Sequence, residues 1–323
     1  MLNLFDLRFL VVLGKGGVGR TSVSAALALA AARRGKRVLL ALCNSKERLS
    51  HLLEVRAIGP RIIPILPRID AVNMEPAAAL EQYGMMILGV RALYKLVLGN
   101  RHVSAFLRGT PGLDAWALLG KAQYHVRQMD RSGKRPRYDL VILDAPATGH
   151  GLDMLRVPRV IVEASPQGLL RREAEDALEL FVDPRRTGIV LVTLAEELPT
   201  NETQEAYREL REEMGLSVSC LMVNRVLPKL FNPEERHFLA HLPDLVGDDA
   251  GLASLAIATR ARAAREAVQE ACIARLRESI GVPQAQLPEI SAPEFRRAAI
   301  EALSRVIDQN CANAHAPNGL RPV

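Results

Sequence analysis

The sequence predicts an α/β fold: a doubly wound, mostly parallel sheet with a helical insertion. Three observations predict it. Short apolar runs at 9–13, 37–42, 71–74, 140–143, 189–194 and 218–223 alternate with stretches of helical periodicity. The first run leads through a glycine-rich turn into an alanine-rich helical stretch, 23–32. Finally, Gly14, Asn44, Asp144 and Asn224 each fall just after a predicted strand, at the edge where such sheets collect ligands.

The first connection reads Gly14-Lys15-Gly16-Gly17-Val18-Gly19-Arg20-Thr21-Ser22. It fits the phosphate-loop pattern, Gly, four residues, Gly, Lys, Ser or Thr, at every position but one: Arg20 stands where lysine is expected. The glycines let the backbone curl so that several N–H groups face one anion, and the following helix adds its positive end. Thr21 offers a hydroxyl to Mg²⁺. The same letters satisfy the dinucleotide fingerprint, but no acid follows the second strand until Glu47, so that reading is weaker.

Between the third and fourth predicted strands, 76–137 forms the insertion. Its stretch 85–98 opens on Met85-Met86, with Arg91 and Lys95 on one polar face. Such a helix either buries itself within the insertion or offers an adaptable groove to a protein client. The strand at 140–143 ends in Asp144 and continues through Thr148-Gly149-His150 to Leu155-Arg156-Val157-Pro158. An aspartate at a buried strand end needs a cation or donors, and a Mg²⁺-bound water beside the loop would serve. Only one helix fits between Pro158 and Thr187. Leu191 to Pro199 reads as strand and loop leading into a helix at Asn201-Glu202-Thr203, and Val223-Asn224-Arg225 ends another strand. At 293–308, Ile300, Leu303, Val306 and Ile307 recur at helical spacing, which predicts a helix packed on the core. The polar tail 310–323 is expected to be disordered.

Lys15, directly after the first glycine, makes the loop resemble the deviant Walker A class. Asp144 with Thr148-Gly149-His150 and the later Leu-Arg-x-Pro resembles the ArsA-like, or anion-transporting, ATPases of bacteria, relatives of the arsenite-pump and tail-anchored-protein targeting ATPases. The likeness runs over 8–308, so 1–309 is expected to be one P-loop NTPase domain. The resemblance implies ATP or ADP held by Gly14 to Ser22, Mg²⁺ near Thr21 and Asp144, and adenine held at Asn224, beside Arg225. It also implies a dimer, homodimeric or formed with a paralogue, in which Lys15 reaches the neighbour's nucleotide. Two departures matter. Where the arsenite-pump pattern has Asp-Pro-Ala-His, this chain has Asn44-Ser45-Lys46-Glu47, and Asn44 cannot accept a proton. Glu47 is the candidate substitute. Arg20 keeps the lysine's charge but not its shape. The expectation is a Mg²⁺-dependent ATPase with attenuated hydrolysis, whose catalytic set is Lys15, Arg20 and Glu47. The alternatives are a nucleotide-binding pseudo-ATPase that supports a partner, and a MinD- or ParA-like positioning protein.

Composition limits the rest. The 323 residues hold 49% hydrophobic and 24% charged side chains, ordinary for a globular protein, and no apolar run reaches 18 residues. Residues 1–8 do not read as a signal peptide, and the expected location is cytoplasmic. A net charge of +6 with 4% aromatics offers no platform for nucleic acid, and neither nucleic acid nor membrane is an expected partner. Cys43, Cys220, Cys272 and Cys311 are dispersed, which argues against zinc and against arsenite. His237 and His241, four apart, are expected to be a surface pair.

Overall fold

Among the described residues, eight strands, β1 (Phe9–Leu13), β2 (Val38–Cys43), β3 (Ile63–Leu66), β4 (Ile69–Met74), β5 (Leu140–Asp144), β6 (Thr187–Leu194), β7 (Val218–Val226) and β8 (Gln284–Pro288), form one sheet in the order β3-β4-β2-β5-β1-β6-β7-β8. A computed structural model describes residues 4–43, 47–88, 112–241, 250–292 and 294–313. The central strands are β1, β2, β4, β5, β6 and β7. All of these pair in parallel. Two short strands, β3 and β8, close the edges, and only β3 pairs antiparallel.

Parallel strands buried on both faces carry continuous apolar runs, and β1 is buried at all five positions. Its side chains alternate between two cores: Phe9, Val11 and Leu13 enter one, Leu10 and Val12 the other. One face is covered by α1 (Arg20–Arg33), α2 (Leu49–Leu53) and a C-terminal helix, Arg297–Asn313. Alanines make α1 slim, so that it is buried from Val23 to Ala31 between sheet and C-terminal helix. Arg33 and Arg34 fix the far end of this pair through Asp308. Ile300, Leu303 and Ile307 are buried as their spacing predicted, and Val306 packs at the margin.

The other face carries α3 (Pro76–Leu88), α4 (Leu113–Arg127), α5 (Thr148–Ala164), α6 (Leu169–Val182) and α7 (Glu197–Arg208). Within the predicted insertion, α3 and α4 pack together through Tyr83 against Trp116, edge to face at 5.9 Å. Gly120 leaves room for the Tyr83 ring, which explains the glycine of Leu119-Gly120-Lys121. Most of the methionine-led stretch lies outside the described residues, as do Asn44, Ser45, Lys46 and the tail from 314. α5 continues past Pro158 to Ala164, and α6 is the one helix that follows before β6. After β7 come α8 (Pro233–His241) and α9 (Ala250–Ser279), and the C-terminal helix is α10. His237 and His241 lie exposed on α8 with their rings 5.1 Å apart.

Candidate functional site

The loop after β1 is shaped by close approaches that only glycine permits. A side chain at Gly14 would meet the Val192 carbonyl on β6, which lies beside β1. Gly17 and Gly19 turn through the left-handed region at φ 90° and 92°. Gly19 also makes room for Asn224, whose amide donates to the Val18 carbonyl at 2.9 Å. The loop is therefore fastened to the end of β7 as well as to β1. Gly19 opens α1, so the free N–H groups of its first turn lie at this edge.

Asp144 ends β5, buried at 5% exposure. The Thr21 hydroxyl donates to its Oδ2 at 2.7 Å, while Oδ1 has no hydrogen-bond partner. Burial pushes the carboxyl above the usual range; the Thr21 bond and the nearby Arg20 charge pull it part of the way back. The Ser24 hydroxyl is close enough to be felt but makes no hydrogen bond. A hydroxyl and a carboxylate with one idle oxygen, side by side, are donors of the kind a hard divalent cation takes. These residues fit Mg²⁺.

Arg20 does not extend into solvent. Its Nη1 donates to the Ala145 carbonyl, one residue beyond Asp144. Burial lowers its pKa, and the charge of Asp144 acts against that. The guanidinium thus lies toward the end of β5. The segment after Asp144 is drawn to the loop as well: Thr148 N–H donates to the Gly14 carbonyl at 3.1 Å, and Gly151 packs α5 against Leu13 and the Pro146 carbonyl. His150, two residues after Thr148, is exposed.

Lys15 forms an ion pair with Glu202 on α7. The start of α7 is fixed by Thr203, whose hydroxyl meets that of Thr193 at 2.9 Å and the Pro199 carbonyl at 2.7 Å. Glu47 is engaged locally instead. Its carboxylate accepts from the Ser50 N–H at 2.7 Å and the Ser50 hydroxyl at 2.6 Å, holding the start of α2. To position a water at the loop it would have to leave Ser50. Arg225 adopts φ 56°, a strained backbone for a side chain of its kind, and pairs with Glu289 at 3.2 Å. A cavity of about 290 Å³ lies here, lined by Gly19, Ser22, Asn224, Arg225, Pro288 and Phe295 among others.

The structure therefore gathers Gly14 to Ser22, Asp144 and Asn224 at one edge and engages Glu47 with Ser50. Sequence reasoning missed two participants. Glu202 was legible only as part of a motif, with nothing to pair it to Lys15. Glu289 follows β8, which carries no continuous apolar run.

The sequence profile of the anion-transporting ATPases matches residues 7–167 and 169–240. The chain belongs to this family. It is 30% identical to the ATPase BagA of Mycobacterium tuberculosis over 316 residues, covering 90% of this chain and 89% of that one. It is 30% identical to an arsenical pump-driving ATPase of Acidiphilium multivorum over 237 residues, 68% of this chain but 40% of that protein. An ATPase ASNA1 homolog of Entamoeba dispar is 24% identical over 263 residues, 69% of this chain and 77% of the relative. As in any anion-transporting ATPase, nucleotide chemistry is the first question for this family member's site. Among its described residues no helix is long and apolar enough to cross a membrane, and no three His, Cys, Asp or Glu side chains gather as a metal group.

Proposed function

We propose that this ArsA-family chain binds ATP and ADP at the loop Gly14 to Ser22 and hydrolyses ATP slowly, using the nucleotide state to set the conformation of a dimer or partner. One observation carries the reading: Asp144, buried under the loop, bonded to Thr21 and with one oxygen idle. Burying such a group unpaired is costly, and a ligand's cation offsets that cost. Mg²⁺ would be held by Thr21 and Asp144, and when bound it neutralises charge on the terminal phosphates. The loop N–H groups and Lys15 add positive potential for the phosphates, and the cavity at Asn224 and Arg225 supplies a place for the base. The domain would run over 1–309 with its insertion.

Slow turnover is supported by the two departures. Arg20 is tied to the Ala145 carbonyl, and Glu47 to Ser50. Neither is free to do what a lysine point charge and a water-positioning aspartate would do. The same contacts favour a second reading, a nucleotide-binding pseudo-ATPase beside an intact paralogue. Calorimetry with MgATP and MgADP, followed by a phosphate-release assay, separates the two. Binding with turnover supports the ATPase, binding without turnover the pseudo-ATPase, and a folded protein that binds neither nucleotide overturns both.

A further inference from the structure

Arg20 is the one position of the loop that departs from the phosphate-loop pattern, and its side chain is held on the Asp144 side of the loop. Were Thr21 and Asp144 to hold the cation of a Mg²⁺-nucleotide, the outermost phosphate would belong on the Asp144 side of the loop. In this chain Arg20 directs its guanidinium into that direction. Its Nη1 holds the carbonyl of Ala145, immediately after Asp144, and its charge is felt by Asp144 at the end of β5 and by Cys43 at the end of β2. These two strands are neighbours in the sheet. The guanidinium therefore points toward the junction of their ends, and it is larger than the ammonium it replaces. The α1 N-terminus and the left-handed glycines Gly17 and Gly19, which would receive the inner phosphates, lie on the loop itself, and the Arg20 contact is made with a different segment, at Ala145.

We propose that Arg20 makes this a nucleoside-diphosphate site: a built-in cation takes up the region a γ-phosphate needs, so ADP binds in preference to ATP. The inference rests on the nucleotide-binding reading and adds the ligand it selects. A triphosphate must displace Arg20 from the Ala145 carbonyl, whereas a diphosphate leaves that contact in place. With ADP bound, the guanidinium remains coupled to the segment that leads into α5, so the diphosphate form is the resting state. Arg20 acts as a specificity-determining residue and no chemical step is asked of it.

The test is titration calorimetry with ADP and with the non-hydrolysable triphosphate AMPPCP, on the full chain and on Arg20→Lys, each with Mg²⁺ and folded by circular dichroism. Wild type should bind ADP at least tenfold more tightly than AMPPCP. Arg20→Lys should reduce that ratio to threefold or less, chiefly by tightening AMPPCP. Should Arg20→Lys unfold, Arg20→Met serves, with the same expected loss of preference. Equal binding of the two by wild type, or a preference that the substitution leaves intact, overturns the proposal while nucleotide binding stands. Failure of wild type to bind either nucleotide overturns the nucleotide-binding reading itself.

Discussion

The amino ends of β1, β5 and β6 and the carboxyl end of β5 treat their buried polar groups differently. At the amino ends of β1, β5 and β6 several polar groups are satisfied, whereas Gln284 at the start of β8 keeps both amide atoms buried without a partner. Arg8 donates to the carbonyls of Val126, Tyr138 and Asp139 at 2.8–3.1 Å. Both oxygens of Asp139 accept from Arg37, and the Thr187 hydroxyl donates to the Leu180 carbonyl. At the carboxyl ends, Asp144 Oδ1 and Glu202 Oε2 are buried with no partner. Residues that serve only the fold are selected for satisfaction, because an unmade buried hydrogen bond costs about 1–3 kcal/mol. Residues that serve a ligand wait for it. The contrast between Arg8 and Asp139 on one side and Asp144 on the other is what the proposed binding edge predicts.

The largest effect should come from breaking the satisfied edge. Arg8→Ala leaves three carbonyls without their donor and is expected to cost about 3 kcal/mol in chemical denaturation. A loss under 1 kcal/mol would mean that water replaces the guanidinium at these three carbonyls. Nucleotide affinity should not change in whatever fraction remains folded.

His125 and Lys121 sharpen the comparison, since both are buried on α4 without a carboxylate partner among the described residues. Burial is the main cause that pushes His125 down to about 4, although its bond with Gln128 acts the other way. Burial alone pushes Lys121 down to about 8. For the histidine the unfolded chain takes the proton first. Stability should therefore fall as pH drops from about 6.5 toward 4, by a total of about 2–3 kcal/mol. For the lysine the charge is penalised throughout the range below about 8, and the penalty is relieved as pH rises toward 10.5. Lys121→Met should raise stability at pH 7 by about 2 kcal/mol. Denaturant titrations across pH 4 to 10 check both, and a flat profile in wild type would show that water reaches these groups.

Much of this organisation was legible in the sequence, for reasons specific to each element. The central strands announce themselves because both faces are covered, so β1 and β5 read as unbroken apolar runs. The edge strands do not. β3 contains Pro64 and is only partly buried, and β8 alternates Gln284, Gln286 and Pro288 with two buried residues. The glycine loop, Asp144 and Asn224 could be placed at one edge because each lies at or just past the carboxyl end of an apolar run, although β7 extends two residues beyond Asn224, to Val226. What could not be read is where long side chains turn. Arg20 toward Ala145, Lys15 toward Glu202 and Glu47 toward Ser50 depend on partners from 3 to 187 residues away. The sequence shows charge at these positions but not its direction.

On the unsatisfied edge, Asp144→Asn should separate the costs of fold and function. The raised pKa means that the carboxylate is disfavoured in the folded chain. Its contribution to stability is fully present only below about pH 4 and is lost as pH rises through the folded value. The amide removes that penalty, so the variant should be as stable as wild type at pH 7, or up to about 1 kcal/mol more stable. Mg²⁺-nucleotide affinity should fall at least tenfold. A variant that is strongly destabilised would assign Asp144 to the fold and erase the difference between the edges.

The smallest stability effect is expected at Lys15 and Glu202, and there the functional consequence is the more informative one. The pair is accessible, at 41% and 30% side-chain exposure, so its attraction is screened by water. Glu202→Gln should therefore change stability by less than about 1 kcal/mol. The change also releases Lys15 from its own chain while leaving the Thr203 contacts that hold α7. If the lysine's use is to reach a neighbouring subunit's phosphates, releasing it should favour nucleotide-dependent association by a few-fold. Light scattering at matched concentrations, with and without ADP and ATP, measures this directly. Lys15→Ala is the control, since it also breaks the pair but removes the group that would cross. Association that rises in Glu202→Gln and disappears in Lys15→Ala supports a crossing lysine held in check by α7. If both variants behave like wild type in every nucleotide state, Lys15 serves its own loop, and the idle oxygen of Glu202 needs another partner.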